Sequence, residues 1–118
     1  MQNKRTLGSK YEEIAANELM KKGYKILERN YRCHKGEIDI IASKDGFIVF
    51  VEVKYRGTDA KGQPYEAVDY NKQRAISAVA AHYLTVKVGS VDVPCRFDVI
   101  SILNDKTEHI ENAFDYIG

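Results

Sequence analysis

The dipeptide Asp45-Gly46 lies between two apolar runs, residues 38–42 and 47–53. A two-residue turn of type I′ needs positive φ angles at both central positions, and Asp-Gly adopts them readily. The pattern therefore predicts an antiparallel hairpin over residues 36–54. This hairpin limits the possible folds more than any other stretch, because it fixes which residues of the two strands face each other.

The predicted turn also sets the register of the hairpin. Lys44 pairs with Phe47, and counting back along both strands places Asp39 opposite Glu52. Directly opposite residues have Cβ atoms about 4.5–5.5 Å apart. Because side chains alternate along a strand, Lys54 shares the face of Glu52. The turn thus predicts two carboxylates and one ammonium group on one patch.

Two opposed carboxylates in an apolar hairpin repel each other, and burial increases the cost. A divalent cation would offset the repulsion, since Mg²⁺ in proteins is commonly held by one or two carboxylates with water and phosphate. We therefore expect Asp39 and Glu52 to bind Mg²⁺ or Mn²⁺, with Lys54 placed to stabilise developing charge. The alternative is that these acids are ordinary solvent-facing strand residues.

Length and composition indicate one domain over residues 1–118 with a substantial core, since 44% of the residues are hydrophobic. The net charge is +1 overall, but residues 1–74 carry +4 and the remainder −3. The basic part contains the hairpin, which favours an anionic ligand there. A scatter of solvated surface charge would explain the same counts.

Cysteine and histidine patterns give no metal site. Cys33 and Cys95 fit no C-x-x-C spacing and are expected to be reduced and half-buried, as in a cytoplasmic protein. No run approaches the length of a membrane span, so we expect no membrane partner. The three histidines, which show no ligand spacing, are His34, His82 and His109.

Residues 1–7 are polar and are expected to be loose, and the remaining periodicity predicts the order α-β-β-β-α-β plus a short C-terminal element. This is an α/β fold, with a mixed sheet around the central antiparallel hairpin and helices on its faces. Outside the hairpin, the predicted elements are a helix over 9–22, a strand over 24–32, a polar loop over 55–63, a helix over 67–86, a strand over 95–103 and a short strand or helix over 109–117.

The first helix should bury Tyr11, Ile14, Ala15 and Leu19 on one face. Glu12 falls on the border of this face and could point along the sheet into the site. By helical angle Glu18 is a rival, and Glu13 points to water. A border glutamate is also commonly an ordinary surface residue.

Basic residues flank the predicted site on the loop and on the second helix. Arg56 and Lys61 belong to the loop, and Lys72 and Arg74 to the first turns of the helix, which Asp69 or Asn71 would cap. Cations at a helix start are unfavourable for the helix dipole, so they are candidates for binding an anion such as phosphate. A solvated first turn is the alternative.

These residues resemble the PD-(D/E)xK nuclease superfamily, the restriction-endonuclease-like fold that includes archaeal Holliday-junction resolvases. The chain resembles the YraN family of small bacterial proteins more closely still, and over nearly its whole length. One position departs from the pattern, since Tyr11 stands where a glycine is favoured before the helix glutamate. The matching segments are RNYR at 29–32, GEIDIIA at 36–42, VFVEVKYR at 49–56, KQR at 72–74 and RFDV at 96–99.

The resemblance implies a role for each matching residue. It makes Asp39 and Glu52 metal-binding carboxylates, with the Val53 carbonyl as a further ligand. It makes Lys54 the catalytic lysine. It also implies that the helix acid Glu12 completes the site, and that Gln73 with Lys72 forms an accessory pair.

The leading hypothesis is a Mg²⁺-dependent endonuclease acting on DNA, with phosphate contacts from Arg56, Lys61, Lys72 and Arg74. A chain this small has little room for base reading, which favours recognition of branched or single-stranded DNA and action as a homodimer. A second hypothesis is a catalytically silent nucleic-acid-binding or assembly module that retains the nuclease fold. A third is an interaction domain whose acids only decorate the surface.

Overall fold

The Asp45-Gly46 turn joins the second and third strands of a five-stranded sheet, and both turn residues have positive φ angles, 52° and 83°. The computed structural model describes residues 4–118, with side chains described from residue 8 onward. The elements are α1 (Lys4–Lys21), β1 (Lys25–Cys33), β2 (Gly36–Lys44), β3 (Phe47–Arg56), a 3₁₀ turn (Pro64–Ala67), α2 (Tyr70–Tyr83), a π turn (Leu84–Val88), β4 (Cys95–Leu103) and β5 (Lys106–Phe114).

The sheet has the strand order β1-β2-β3-β4-β5. All neighbouring strands are antiparallel except β3 and β4, which run parallel. Parallel neighbours need a long crossover, and the segment containing α2 provides it. The protein is therefore a mixed α/β domain with a five-stranded sheet and two helices.

Each face of the sheet carries its own core. On one face Ala15, Ala16 and Leu19 of α1 pack against side chains such as Val51 and Ile100. On the other face α2 packs through residues such as Ile76 and Val79 against the opposite side of the same strands. Strands β3 and β4 are mostly apolar on both faces because both faces of the sheet are covered, and their buried acids, Glu52 and Asp98, are exceptions.

Helix α1 differs from its prediction in extent and in orientation. It begins at Lys4, so the expectation of a loose segment is wrong for residues 4–7, while residues 1–3 lie outside the described part. Ile14, expected to be buried, is 36% exposed. The helix contacts the sheet through two small residues, Ala15 and Ala16, and this centres the buried stripe away from Ile14.

Helix α2 is shorter than predicted at both ends. Asp69 caps it by accepting a hydrogen bond from the Lys72 backbone amide at 2.9 Å. The residues before the cap form the separate 3₁₀ turn, held by a capping box between Gln63 and Glu66. Beyond Tyr83 the chain continues into the π turn, which ends at Gly89 with a φ of 87°.

The last element is a strand, β5, which pairs with β4 through a turn at Asn104-Asp105. Cys33 and Cys95 are free and half-buried, as expected. In the described residues, no helix has the length and apolar character needed to cross a membrane.

Candidate active site

The hairpin has the register that the turn predicts. Lys44 pairs with Phe47, and the ladder continues to Ile40 and Val51. It ends there, one position short of Asp39 and Glu52. The Asp39 carboxylate Oδ2 instead accepts a hydrogen bond from the Val53 backbone amide at 2.8 Å. Asp39 therefore lies where the two central strands, β2 and β3, part. Its side chain, instead of a backbone carbonyl group, accepts the hydrogen bond of the Val53 amide.

Strand β2 changes face at this point. Ile38 packs in the core on the α2 side, whereas Ile40 packs in the core on the α1 side. Two residues apart on a regular strand would share a face. The irregularity places the half-buried Asp39 carboxyl group beside the Glu52 side chain of β3.

Asp39 and Glu52 form a closely interacting acid pair. Glu52 is only 3% exposed. Burial, the negative charge of Glu52 and a hydrogen bond between the two carboxyl groups raise the pKa of Asp39 to about 9, against the opposing effect of the Val53 amide. At neutral pH and without a cation, Asp39 is therefore protonated and the pair shares one negative charge.

Two lysines from different elements contact the same oxygen of Glu52. Lys54 Nζ lies 3.6 Å from Oε2, and Lys72 Nζ lies 3.1 Å from it. Burial alone would lower the pKa of Lys72, but the charge and hydrogen bond of Glu52 raise it above its ordinary value. The predicted placement of Lys54 beside Glu52 is confirmed, and α2 delivers Lys72 to the same group.

Glu12 of α1 faces this acid pair. Burial raises its pKa, a hydrogen bond from the Asn30 side chain lowers it, and the charges of Glu37 and Glu52 raise it further. Its neighbours on the helix are engaged elsewhere, since Glu13 binds Arg29 at 2.8 Å and Glu18 lies 3.7 Å from Lys22. Of the three helix acids, Glu12 is the one whose charge acts on the pair.

Sequence reasoning missed two polar residues near the pair, Asn30 and Glu37. Glu37 binds Arg32 at 2.7 Å, and its charge acts on both Glu12 and Lys72. Asn30 lies across from Asp39 in the β1–β2 register and has a φ of 52°. The sequence contained evidence for both residues, because Glu37 precedes Asp39 by two residues and Asn30 lies within the RNYR segment.

The donor set fits a hard divalent cation held mainly by two carboxylates. Among residues 8–118, no three His, Cys, Asp or Glu side chains converge to hold an ion together. Asp39 and Glu52 nevertheless provide a charged pair whose repulsion is relieved here by one proton and two lysines. Mg²⁺ binds well to one or two carboxylates when water and phosphate complete its shell.

None of the described contacts brings the remaining predicted site residues to the acid pair. Gln73 donates from Nε2 to the Val68 carbonyl at 3.0 Å. Arg56 donates to the carbonyl groups of Lys61 and Gly62, so its guanidinium group holds the loop 57–63 in place. Lys61 and Arg74 are exposed on the surface.

Tyr11, which stands where the resembling family favours glycine, stacks on Tyr55 with ring centroids 4.2 Å apart. This stacking gives the bulky ring a partner on β3.

A second polar cluster lies on the other face of the sheet, around the fully buried Asp98. Its carboxylate accepts hydrogen bonds from Arg96 Nε at 3.0 Å, His109 Nε2 at 2.7 Å and the Asn112 amide at 3.0 Å. Burial alone would raise the pKa of Asp98, but these donors hold it below its ordinary value. The cluster also spans the irregularity in β5, where β4 and β5 shift register around Asp98.

Replacing Asp39 with asparagine should stabilise the metal-free protein increasingly as the pH rises. The asparagine carbonyl can still accept from Val53, and its NH₂ group can donate to Glu52 as a protonated Asp39 does. The raised native pKa of Asp39 means that its contribution to stability is complete below about pH 4 and is lost as the pH rises through about 9.

Melting temperatures of wild type and Asp39→Asn, measured in chelator from pH 6 to 9, check this expectation. The variant should equal or exceed the wild type, with a gap that widens toward pH 9. A variant that is less stable by several kcal/mol at every pH would instead make Asp39 a structural hydrogen-bonding residue.

Fold and site together define a class of protein, namely a small α/β domain with a buried acid pair, clamped by lysines, where two central strands part. Residues 11–102 match the model of the Uncharacterised protein family UPF0102. The chain belongs to this family.

Relatives cover nearly the full length of the chain. A UPF0102 protein of Lachnoclostridium phytofermentans is 50% identical over 116 residues, which is 98% of either chain. A UPF0102 protein of Thermodesulfovibrio yellowstonii is 48% identical over 108 residues, covering 92% of this chain and 95% of the relative. A third, from Caldanaerobacter subterraneus, is 49% identical and covers 95% and 97%. These names state no activity.

Proposed function

We propose that this protein is a metal-dependent endonuclease with a restriction-endonuclease-like core, acting on DNA phosphodiester bonds. One observation carries the proposal: an acid pair and a lysine lie together at the point where the two central strands part. Two carboxyl groups held this close are costly to keep together, and perturbed carboxylates of this kind cluster at functional sites. The resemblance to the PD-(D/E)xK superfamily rests on the same residues.

The chemistry of the site favours Mg²⁺ or Mn²⁺ as the cofactor. Asp39 and Glu52 would hold the ion, with the Val53 carbonyl as a further ligand. A divalent cation there supplies Lewis acidity toward a phosphate oxygen and lowers the pKa of a water molecule. The proton on Asp39 would leave when the cation binds, because ligating carboxylates must be deprotonated.

The chain's own residues provide positioning and electrostatics. Lys54 lies 3.6 Å from Glu52, where its ammonium group can orient the attacking water or stabilise the charge that develops on the phosphate. Lys72, anchored on the same carboxylate, can turn toward a phosphate oxygen once a cation takes over the negative charge of Glu52. Glu12, held by Asn30, would complete the acidic rim of the site.

Phosphate binding would extend from this site over the basic part of the chain. Lys61 and Arg74 are exposed and can contact the DNA backbone, with affinity that falls as the salt concentration rises. Arg56 would act indirectly, since it holds the loop that carries Lys61. Such contacts carry no sequence information and suit a substrate recognised by its shape, including branched DNA bound by a homodimer.

A second candidate function is a nucleic-acid-binding or assembly module without activity. The specific observation in its favour is that two lysines already neutralise Glu52 without a cation. A site in which lysines replace the metal permanently would bind DNA but leave it intact.

A cleavage assay separates the two functions. We expect purified protein with Mg²⁺ or Mn²⁺ to cut at least one of duplex, single-stranded and four-way-junction DNA, and chelator to abolish cutting. Glu52→Gln, which keeps the shape of the side chain, should be inactive, and this excludes a contaminating nuclease. DNA binding by the wild type with or without metal, and without cleavage of any form, would favour the binding module.

A further inference from the structure

We propose that a cavity next to the acid pair binds one unpaired nucleobase of the DNA substrate. This inference rests on the proposed function, and it names the feature of DNA that the site selects. The cavity has a volume of about 220 Å³, and its lining includes Tyr65 of the 3₁₀ turn, Val68 directly after this turn, Gln73 of α2, Val99 of β4, and Ile110 and Phe114 of β5.

The strand register places this cavity beside the carboxylates. Val99 pairs with Glu52 across β3 and β4, and Ile110 pairs with Val99 across β4 and β5. Neighbouring strands lie about 4.8 Å apart. Val99 packs in the core on the α2 side, the side from which Lys72 reaches Glu52. A nucleotide whose phosphate lies at the acid pair can therefore place its base over β4 and β5.

The walls of the cavity suit a flat aromatic group. Phe114 stacks on Phe97 with centroids 5.0 Å apart, and Phe97 stacks on Phe50 at 5.5 Å, so this wall is firmly supported from the core. Tyr65, 39% exposed, forms another part of the lining, and its backbone amide donates to Ser101 Oγ at 3.1 Å. Aromatic side chains commonly stack on unpaired bases, because every base offers a π face.

Gln73 supplies the polar recognition that such a cavity needs. One N–H of its amide donates to the Val68 carbonyl at 3.0 Å, which fixes the direction of the side chain. An amide has a second N–H and an acceptor oxygen, and glutamine pairs with base edges through these two groups. A cavity with aromatic side chains in its lining and one fixed amide matches a base better than it matches a phosphate or a sugar.

The size of the cavity limits the ligand further. A volume of 220 Å³ corresponds to about seven water molecules. It is smaller than the sites of drug-sized ligands, which start at about 300 Å³. This size suits one base, which favours an occupant from single-stranded DNA, a loop, a junction or a flipped nucleotide.

Equilibrium binding in Ca²⁺ tests this inference without relying on cleavage. The probe is a single-stranded oligonucleotide containing 2-aminopurine, compared with a fully paired duplex of the same sequence. We expect 2-aminopurine fluorescence to be quenched on binding by wild type. Tyr65→Ala should weaken single-strand binding about 10-fold or more, within the effect of losing one stacked base, and change duplex binding less than about twofold.

Matched variants keep the result interpretable. Tyr65→Phe retains the ring and should restore single-strand affinity and quenching, while Tyr70→Ala removes a tyrosine that is 62% exposed and outside the cavity lining. Equal loss of single-strand and duplex binding in Tyr65→Ala, or wild-type binding without quenching, would overturn the base site alone. Failure of the wild type to bind either DNA would overturn the proposed function together with it.

Discussion

Replacing Lys54 with alanine should slow single-turnover cleavage of bound DNA by about 100-fold or more, the usual effect of removing one electrostatic catalytic group. Lys54 contacts Glu52 of the acid pair, so the charge of this lysine acts where the reacting phosphate would lie. An interaction that matters mainly in the transition state changes the chemical step rather than ground-state affinity. DNA binding should therefore fall only modestly, with the salt slope reduced by about one unit at most.

Lys61→Ala is the matched control, since it removes a positively charged side chain that is exposed on the loop and does not contact the acid pair. It should weaken binding and leave the rate of the bound complex unchanged. The measurements are single-turnover cleavage in Mg²⁺ and equilibrium binding in Ca²⁺. If Lys54→Ala cuts bound DNA as fast as the wild type does, the lysine has no part in the chemistry.

Replacing Asp98 with alanine should lower the free energy of unfolding by about 3 kcal/mol, the cost of leaving the partners of a buried ion pair uncompensated. Asp98 is fully buried, and it binds Arg96, the His109 ring and the Asn112 amide. The side chain of His109 is only 1% exposed and Lys22 donates to its Nδ1 at 3.2 Å, so water cannot readily replace the lost carboxylate. For a chain of this size the melting temperature should fall by on the order of 10 °C.

Glu111→Ala provides the comparison, because Glu111 binds the same cluster at its exposed rim, 3.7 Å from Arg96. Its loss should cost less than about 1 kcal/mol. Urea unfolding of both variants in chelator gives the two values. An Asp98→Ala variant as stable as Glu111→Ala would mean that the buried network contributes little to the fold.

Sequence predicted the parts of this molecule that local chemistry determines. The Asp-Gly turn determines the register of the hairpin, and Asp39 and Glu52 each lie only six residues from it. The turn therefore predicted that Asp39, Glu52 and Lys54 lie close together. The strand 95–103 was predicted with its observed bounds, because its apolar run is short and flanked by turn residues. Helix ends were less predictable, since Asp69 capping competed with a separate turn at Pro64.

Contacts between distant segments could not be predicted in this way. The network of Asp98 joins β4 to Tyr24, His109 and Glu111, and only the complete sheet brings these residues together. Likewise, the exposure of Ile14 depends on how closely α1 approaches the sheet through its alanines. The second lysine that contacts Glu52, Lys72, lies on α2. No local sequence pattern determines how this helix is rotated about its own axis.

The acid pair offers two routes to compensation, and this explains how the fold tolerates it. Without a cation, a proton on Asp39 and the ammonium groups of Lys54 and Lys72 neutralise the pair. If a divalent cation binds as proposed, the proton would leave and the lysines would become available to phosphate. The proposed function therefore predicts that metal binding, proton release and substrate binding are coupled at one group of side chains.

The most direct test of this account is calorimetric titration of metal-free protein with Mn²⁺ at pH 7.5, in two buffers of different ionisation enthalpy. We predict one bound ion and the release of about one proton, because Asp39 is protonated below a pKa of about 9. Asp39→Asn should abolish both the binding and the proton release. Absence of binding by the wild type, or binding that survives in Asp39→Asn, would contradict the assignment of Asp39 and Glu52 as a metal site.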